Sequence, residues 1–579
     1  MRILGLVTAR GGSKGFPGKN LARLAGRELV AWSHRLLSQV SARRPGLVPW
    51  LSTDDPAIAA AWPAVDRPDR LRPAALAGDA ASSLDVVLHE LDMQAAAGTP
   101  CDAVLLVQPT SPLAAVEDVL AMLAAYDRGA ASVIAVSEAA HPPRWALTMD
   151  AAGVVAPIGA VPADGRRQDA GRALMPMGMW LVRTDFLREH RSFCVSGRTV
   201  GVEVPAERAV DIDHARDLVV ANALLASRPV RPFTFAGRPV GDGRCLLIAE
   251  AGVNHNGSPA LALDLVDAAA TAGADVVKFQ TFRAEALVTA SARKAAYQVS
   301  NTGDAGSQFA MLLALELPED AWPAIMERCA ARGIAFLSSP FDAGSAAMLH
   351  RLGTPGFKLG SGELTNWPLL RQVAAYGRPL ILSSGMADLG EAEDAVTWAH
   401  EAGCADVAML HCVSAYPAPP AACNLRAMDS LRAALGVPIG WSDHSEGAAL
   451  TLAAVARGAA IIEKHLTLDR RMPGPDHAAS LEPGEFAALC RDVRVVEAAL
   501  GDGIKRPAAC EADTAAVARR SVVAARDLPA GCVLVADDLA AKRPGGGLPP
   551  AWLPRLIGRR LRRAVNADEA LPPDATEPA

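Results

Sequence analysis

From Cys245 onward the chain repeats one pattern eight times: a short apolar run, a polar ending, then a helical stretch. The endings are AlaGluAlaGlyValAsnHis (249–255), LysPheGlnThr (278–281), SerSerProPheAsp (338–342), LysLeuGlySerGlyGlu (358–363), SerSerGlyMet (383–386), HisCysValSerAlaTyrPro (411–417), SerAspHisSer (442–445) and GluLysHisLeu (463–466). Apolar runs this short, each followed by a helix, read as buried parallel strands. Eight such units close into a (β/α)8, or TIM, barrel whose catalytic groups stand at the carboxyl ends of its strands. The residue types that do chemistry collect at those ends: Glu250, Lys278, Lys358, Glu363, His411, His444 and His465.

A barrel uses less than half of 579 residues, so further domains are expected. Residues 1–226 alternate apolar runs (Ile3–Thr8, Val104–Val107, Ser132–Val136, Met179–Val182) with amphipathic stretches, which predicts an α/β, doubly wound, mostly parallel sheet. Residues 227–244 are rich in Pro, Gly and Arg and read as a linker to a barrel over 245–505. A second linker, 506–519, precedes a small domain over 520–579, with short strands at SerValValAlaAla and CysValLeuVal. Ten cysteines without a Cys-x-x-Cys pair indicate neither zinc knuckle nor disulfide framework. No basic-apolar-small leader precedes the first strand and no apolar run has spanning length, so a cytoplasmic location is expected. A net charge of −6 gives no electrostatic case for nucleic acid; small molecules are the expected partners.

Only eight of the 57 basic residues are lysines: Lys14, Lys19, Lys278, Lys294, Lys358, Lys464, Lys505 and Lys542. A lysine kept in so arginine-rich a chain points to a need for a compact ammonium, for instance beside phosphate. Lys14 and Lys19 lie in ThrAlaArgGlyGlySerLysGlyPheProGlyLysAsn (8–20), after the first strand. Gly11, Gly12, Gly15 and Gly18 let backbone N–H groups approach a phosphate, with Arg10, Lys14 and Lys19 as counter-charges. The spacing is not that of a Walker A loop, since Asn20 follows Lys19. Asp211 and Asp213, at i and i+2 on an extended segment, share one face and suit a hard divalent cation. In the barrel, His444 and His465 end neighbouring strands and could converge on one metal ion; polar packing is the other reading. Lys278 and Lys358 could hold a phosphate in the mouth or pair with Glu250 and Glu363. A lysine Schiff base at Lys358 would leave the paired histidines without a purpose.

The loop at 8–20, SerThrAspAsp (52–55), the segment 72–83, GlnProThrSerPro (108–112), ArgArgGln (166–168) and AspIleAsp (211–213) occur in the order that resembles the acylneuraminate cytidylyltransferases. The resemblance implies that Arg10, Gly11, Gly12, Ser13, Lys14, Lys19, Asn20, Arg72, Ser83 and Gln108 hold CTP, with Arg10 and Lys19 catalytic. It implies Asp211 and Asp213 as magnesium ligands, with Arg144 and Arg166 near nucleotide or sugar. An anomeric hydroxyl would attack the α-phosphate and release pyrophosphate. The chain departs from that family at Met177–Gly178, where Asn-Gly is usual, so a sugar-contacting amide is absent there. A non-catalytic nucleotide-binding scaffold is the rival reading of this half.

The barrel motifs, with GlyProAspHis (474–477), resemble the sialic acid synthase family, and the small domain resembles its antifreeze-like (SAF) domain. The resemblance implies condensation of phosphoenolpyruvate with an N-acylmannosamine-type sugar to a nonulosonic acid plus phosphate. His444 and His465 would bind manganese or magnesium; Lys278, Lys358, Ser361, Ser384 and Ser442 would cradle phosphoenolpyruvate. Glu250 would stabilise charge at C2 and activate water there. Glu363, Gln280, Tyr416, Glu463 and Asp476 would bind sugar hydroxyls or order the site. Arg543 would reach the sugar's N-acyl group from the swapped SAF domain of a homodimer. Together the resemblances predict a bifunctional enzyme of CMP-nonulosonate synthesis, its acceptor either an N-acylmannosamine or the 2,4-diacetamido-6-deoxy sugar of the legionaminic series.

Overall fold

Six runs rich in Val, Leu, Ile and Ala form the first sheet: β1 (Ile3–Thr8), β2 (Leu47–Ser52), β3 (Ala103–Val107), β4 (Ser132–Glu138), β5 (Leu174–Arg183) and β6 (Thr199–Glu203). Their order is β6-β4-β5-β3-β1-β2, with β5 antiparallel to its neighbours and the other pairs parallel. The computed structural model describes the chain apart from residues 14, 64–69, 79–80, 140–142, 144–145, 159–171, 304–305 and 544. The expectations for Lys14, Arg144 and Arg166 lie outside the described residues.

Both faces of the sheet are covered. Ile3, Val7, Leu105 and Val107 pack with Val30, Leu37 and Val40 of helix Leu29–Arg43, whereas Leu4, Leu6, Val104 and Leu106 pack with Val87 and Leu91 of helix Ser83–Ala96. This is the doubly wound architecture. The chain leaves β1 toward β2 and returns on the other side at β3, so the crevice past the ends of β1 and β3 is the switch point where such sheets bind ligands.

The barrel strands are β7 (Leu246–Gly252), β8 (Val276–Thr281), β9 (Ala335–Pro340), β10 (Phe357–Leu359), β11 (Leu380–Ser383), β12 (Val407–Cys412), β13 (Ile439–Asp443) and β14 (Ile461–His465). All pairs are parallel and β7 joins β14; among the described residues only β9 and β10 meet without a ladder. A helix follows each strand, from Pro259–Ala272 to Pro483–Leu500. Phe279, Met409, Trp441 and Ile462 face this helix layer, whereas Ile248, Val276, Leu410 and Ile461 fill the barrel interior.

The segment 227–244 is not a linker. Phe233–Phe235 and Arg238–Val240 form an antiparallel hairpin, and Phe233, Phe235 and Val240 join the interior residues as the floor of the barrel. Phe235 sits so close to Gly356 that a Cβ there would lie 2.6 Å from its ring. The Pro/Gly-rich composition concealed a Phe-x-Phe alternation, which is the part that packs.

The sheet and the barrel lie in one compact unit, Met1–Ala499. Arg27, on the hairpin after the glycine-rich loop, pairs with Glu393 of helix Leu389–Glu401. Arg35 reaches the same carboxylate at 2.6 Å and Asp394 at 2.5 Å, and Arg43 pairs with Glu401 at 3.0 Å. Ala433 of the barrel packs among Leu24, Leu29, Ile212 and Leu225.

Leu500–Ala579 form a second unit. Ser521–Ala524 pairs with Leu539–Lys542 around Val522, Leu528, Leu534 and Leu571. The strand expected at Cys532–Val535 is reduced to a single bridge, Val533 to Arg560, and the expected linker 506–519 contains helix Ala512–Ala518. Arg543 lies exposed just past the second of these strands. Among the described residues no helix is long and apolar enough to cross a membrane.

Candidate active sites

At the switch point of the sheet, a cavity of about 650 Å³ is lined by Arg10, Ser13, Lys19, Asn20, Arg72, Ser83, Gln108, Asp211 and Asp213. Residues from four separate stretches of sequence thus meet around one space, which brings cations and amides together with two carboxylates. Asn20 donates to the Arg10 carbonyl (2.9 Å), folding the loop on itself. Gly15 of the loop lines the cavity, whereas Gly11 and Gly12 do not. Gly11 is required by packing, since a Cβ there would meet the Asp55 carboxylate at 2.7 Å, whereas a Cβ on Gly12 would meet open space.

The backbone N–H of Ile212 donates to the Thr110 carbonyl (2.8 Å) and Ile212 is buried, which turns Asp211 and Asp213 toward the cavity. Lys19 bonds Asp213 at 3.0 Å. Burial raises the Asp211 carboxyl, against a hydrogen bond from Thr110. Two neighbouring carboxylates lining one cavity fit a hard, oxygen-preferring ion. Gly178 lets β5 approach β3; a Cβ there would come within 2.6 Å of the Ser111 hydroxyl and 3.0 Å of Gln108. Met177 faces the other way, 5 % exposed in the core with Val7, Val107 and Met179. A side chain at this position points into the sheet's packing layer.

Sequence reasoning passed over Asp54 as an individual residue. Its Oδ1 accepts from the Gly11 N–H and from Arg72, each at 3.2 Å, so it ties the loop to the arginine. Thr110 and His214 also line the cavity; Thr110 stood inside a quoted motif, whereas His214 carried no signal beyond following Asp213.

In the barrel, strand parity decides which residues enter the mouth. Ile248, Val276 and Ile461 point inward, so Glu250, Lys278, Gln280, Glu463 and His465, each two or four residues on, point inward too. All but the half-buried Gln280 are buried. Lys278 Nζ lies 2.8 Å from Glu250 and 3.7 Å from Glu463, and bonds Ser339 at 3.2 Å. Lys358 lies 3.7 Å from the other oxygen of Glu463, which also accepts from Ser442 at 2.9 Å. Gln280 donates to Glu250 at 3.1 Å. Ser361 accepts from the Gly385 N–H (3.0 Å), Ser384 donates to the Leu410 carbonyl (3.2 Å), and Asn366 donates to Glu363 (2.5 Å). Asn301, which no motif singled out, donates to the Pro475 carbonyl (2.6 Å) and so holds the segment leading to Asp476.

The two central carboxyls are driven apart. Burial raises Glu250 more than neighbouring Lys278 lowers it. Burial also opposes ionisation of Glu463, but Lys278 and Lys358 outweigh it and bring its carboxyl down to about 2. Asp476 is raised to about 6 by burial and by Glu250. Separated values of this kind give one group to proton transfer and another to permanent charge.

His444 and His465 stand with ring centroids 5.4 Å apart, and the Tyr416 ring lies 4.2 Å from His444 and 5.8 Å from His465. The Nδ1–H of His444 donates to the Val413 carbonyl (2.8 Å); burial lowers this ring, but Cys412 beside it outweighs burial and raises it above its ordinary value. Burial, with His444 beside it, pushes His465 well below its ordinary value, so that ring is neutral, and its buried Nδ1 has no hydrogen-bond partner. Two adjacent imidazoles, one oriented by a carbonyl and one neutral with an orphaned nitrogen, fit a divalent cation. Among the described residues no group of three His, Cys, Asp or Glu side chains is placed to hold a metal ion by itself. His411 is the exception among the strand-end residues. It faces the helix layer, bonded to the Cys423 carbonyl (2.9 Å) and packed on Trp441, away from the two imidazoles.

Both regions match known families. Residues 4–150 match the Cytidylyltransferase family, 265–505 the NeuB family and 519–575 the SAF domain. The N,N'-diacetyllegionaminic acid synthase of Campylobacter jejuni is 42 % identical over 330 residues, covering 57 % of this chain and 99 % of that protein. The enzyme of the same name from Legionella pneumophila is 43 % identical over 331 residues, covering 56 % and 93 %. The solved N-acetylneuraminic acid synthetase of Leptospira borgpetersenii shares 33 % identity over 50 % of this chain and 96 % of its own, with a TM-score of 0.44. Both halves are therefore enzymes by family, a synthase and a nucleotidyltransferase. The chain belongs to the NeuB family, and it carries a cytidylyltransferase domain ahead of that region and a SAF domain behind it.

Proposed function

We propose that the chain carries out two consecutive steps: condensation of phosphoenolpyruvate with an N-acylmannosamine-type sugar, then transfer of CMP from CTP to the resulting nonulosonic acid. The observation that carries this reading is the coexistence of two built sites. One is a barrel mouth where Lys278 and Lys358 flank Glu463 beside two adjacent imidazoles. The other is a cavity that gathers the glycine-rich loop, Gln108 and a carboxylate pair.

In the barrel, Lys278, Lys358, Ser361, Ser384 and Ser442 receive the phosphate and carboxylate of phosphoenolpyruvate. A manganese or magnesium ion on His444 and His465 would polarise the open-chain sugar's aldehyde. The enol C3 of phosphoenolpyruvate bonds to that aldehyde carbon, leaving positive charge at C2. Glu250, held near Lys278 but raised by burial, takes a proton from the water that adds at C2, and phosphate departs with its bridging oxygen. Glu463 stays ionised throughout and keeps both lysines in place. Gln280, Glu363, Tyr416 and Asp476 orient the sugar, and Arg543 of a partner subunit's SAF domain reaches its N-acyl group.

In the first domain, Arg10, Ser13, Lys14, Lys19 and Asn20 hold the triphosphate while Arg72, Ser83 and Gln108 place the nucleoside. Magnesium on Asp211 and Asp213 would offset charge on the α-phosphate, which the C2 hydroxyl attacks as pyrophosphate leaves. The labour divides between residues 1–226 and 245–505, in a cytoplasmic homodimer. Both relatives named above are N,N'-diacetyllegionaminic acid synthases, which favours the 2,4-diacetamido-6-deoxy sugar as a second reading of the acceptor.

Single-site variants of the full chain test the assignment. His465→Ala is expected to lose phosphate release while still giving pyrophosphate from supplied nonulosonic acid and CTP. Asp211→Ala is expected to do the reverse. Pyrophosphate release that survives in Asp211→Ala would remove the nucleotidyltransferase assignment of that cavity.

A further inference from the structure

Lys464 is one of the eight lysines, it is buried, and neither reaction uses it. In β14 it alternates with the inward-facing Glu463 and His465, so it lies in the helix layer behind the mouth. Directly across the ladder stands Asp443 of β13, again one residue before a histidine. The two side chains are 1 % and 0 % exposed and pair at 3.0 Å.

Their remaining bonding capacity is spent on the turn that carries His444. Asp443 Oδ1 accepts from the Ser445 N–H (2.8 Å) and Ser445 hydroxyl (2.6 Å), and Oδ2 accepts from Thr451 (2.5 Å) on the next helix. Lys464 Nζ donates to the Ser445 carbonyl (2.5 Å). Thus the residues on either side of His444 are tied to the residue just before His465. A well-packed apolar pair would serve stability as well as this buried ion pair or better. What an apolar pair would lack is direction: hydrogen bonds that fix the register of adjacent strand ends.

We infer that Asp443 and Lys464 form a clamp that positions His444 and His465 for a shared divalent cation. Both are positioning residues, acting from behind the mouth through the backbone of the turn. The inference rests on the reading of the two imidazoles as a cation site, proposed above.

The test is Mn2+ binding to the full-length protein, followed by the paramagnetic resonance of the free aquo ion. The visible spectrum of Co2+ gives a second readout of ligand geometry, and thermal unfolding runs in parallel. Wild type is compared with His444→Ala, Lys464→Met and the double variant Asp443→Asn/Lys464→Met. The double variant leaves no lone buried charge, so it keeps the test alive should Lys464→Met fail to fold. Both clamp variants are expected to bind Mn2+ about 10–100-fold more weakly and to shift the Co2+ spectrum, as for other residues that orient metal ligands. The double variant is expected to melt near wild type. A folded double variant with unchanged Mn2+ affinity and Co2+ spectrum overturns the clamp alone. Wild-type protein without any Mn2+ binding that His444→Ala abolishes overturns the cation reading, and the clamp with it.

Discussion

Removal of Glu393 is the sharpest test of how the two catalytic regions are held together. Its carboxylate is buried between Arg27 and Arg35, with side-chain exposures of 9 %, 9 % and 14 %. Burial raises the Glu393 carboxyl, and the two guanidiniums do not bring it back. Desolvation therefore outweighs attraction in this triad. Because the folded value lies above the unfolded one, that net cost is present at neutral pH and fades as the pH falls through the folded value. Two opposite expectations follow. Glu393→Ala strands two buried guanidiniums, a change that costs about 3–5 kcal/mol. Arg35 keeps Asp394, which is half exposed, so the lower end applies, about 3 kcal/mol. The triple variant Arg27→Met/Arg35→Met/Glu393→Leu removes every buried charge of the triad and is expected to match or exceed wild-type stability. Hydrogen exchange reads both at the interface itself. Amides of the hairpin 23–28 and of helix Leu389–Glu401 should exchange about 100-fold faster in Glu393→Ala, following the 1.4 kcal/mol per decade relation. They should exchange no faster than wild type in the triple variant. Unchanged exchange in Glu393→Ala would refute the argument, because the triad would then hold nothing.

Other expectations are more local. Glu250→Gln keeps the size of the side chain but not its proton transfer, so kcat for phosphate release should fall about 100-fold or more with little change in KM for phosphoenolpyruvate; a raised KM with kcat unchanged would mark Glu250 as a binding group. Phe235→Ala empties the barrel floor and should cost about 3–5 kcal/mol in denaturant unfolding; a cost under about 1 kcal/mol would show that the hairpin is a mere tether. Asp54→Ala frees both the Gly11 N–H and Arg72, so KM for CTP should rise about tenfold while phosphate release from phosphoenolpyruvate stays at the wild-type rate; an unchanged KM would mean that the loop holds its shape without this carboxylate.

The eight strand ends were legible because a barrel strand announces itself twice, by an apolar run and by the polar residues where it stops. Glu250, Lys278, Glu463 and His465 then follow from parity alone. His411 shows the limit of that reading: it ends a strand like the others, but one residue of register turns it to the helix layer. The nucleotide cavity was readable as an ordered set of motifs, but the linking role of Asp54 depends on a bond across 43 residues. Contacts that join distant stretches left no trace. Arg27 and Glu393 are 366 residues apart, and neither has a neighbour in sequence that announces the other. The barrel floor was hidden by composition, since Pro and Gly around Phe233 and Phe235 read as a linker until the two rings had something to pack against.

The most direct measurement supplies the purified full-length protein with Mg2+ or Mn2+, phosphoenolpyruvate, CTP and either N-acetylmannosamine or its 2,4-diacetamido-6-deoxy analogue, and follows phosphate and pyrophosphate separately. The account predicts that one of these sugars gives both ions, with pyrophosphate lagging phosphate and converging on equal amounts as the CMP-linked product forms. Phosphate release without pyrophosphate, even when the nonulosonic acid is supplied directly, would contradict the two-step reading.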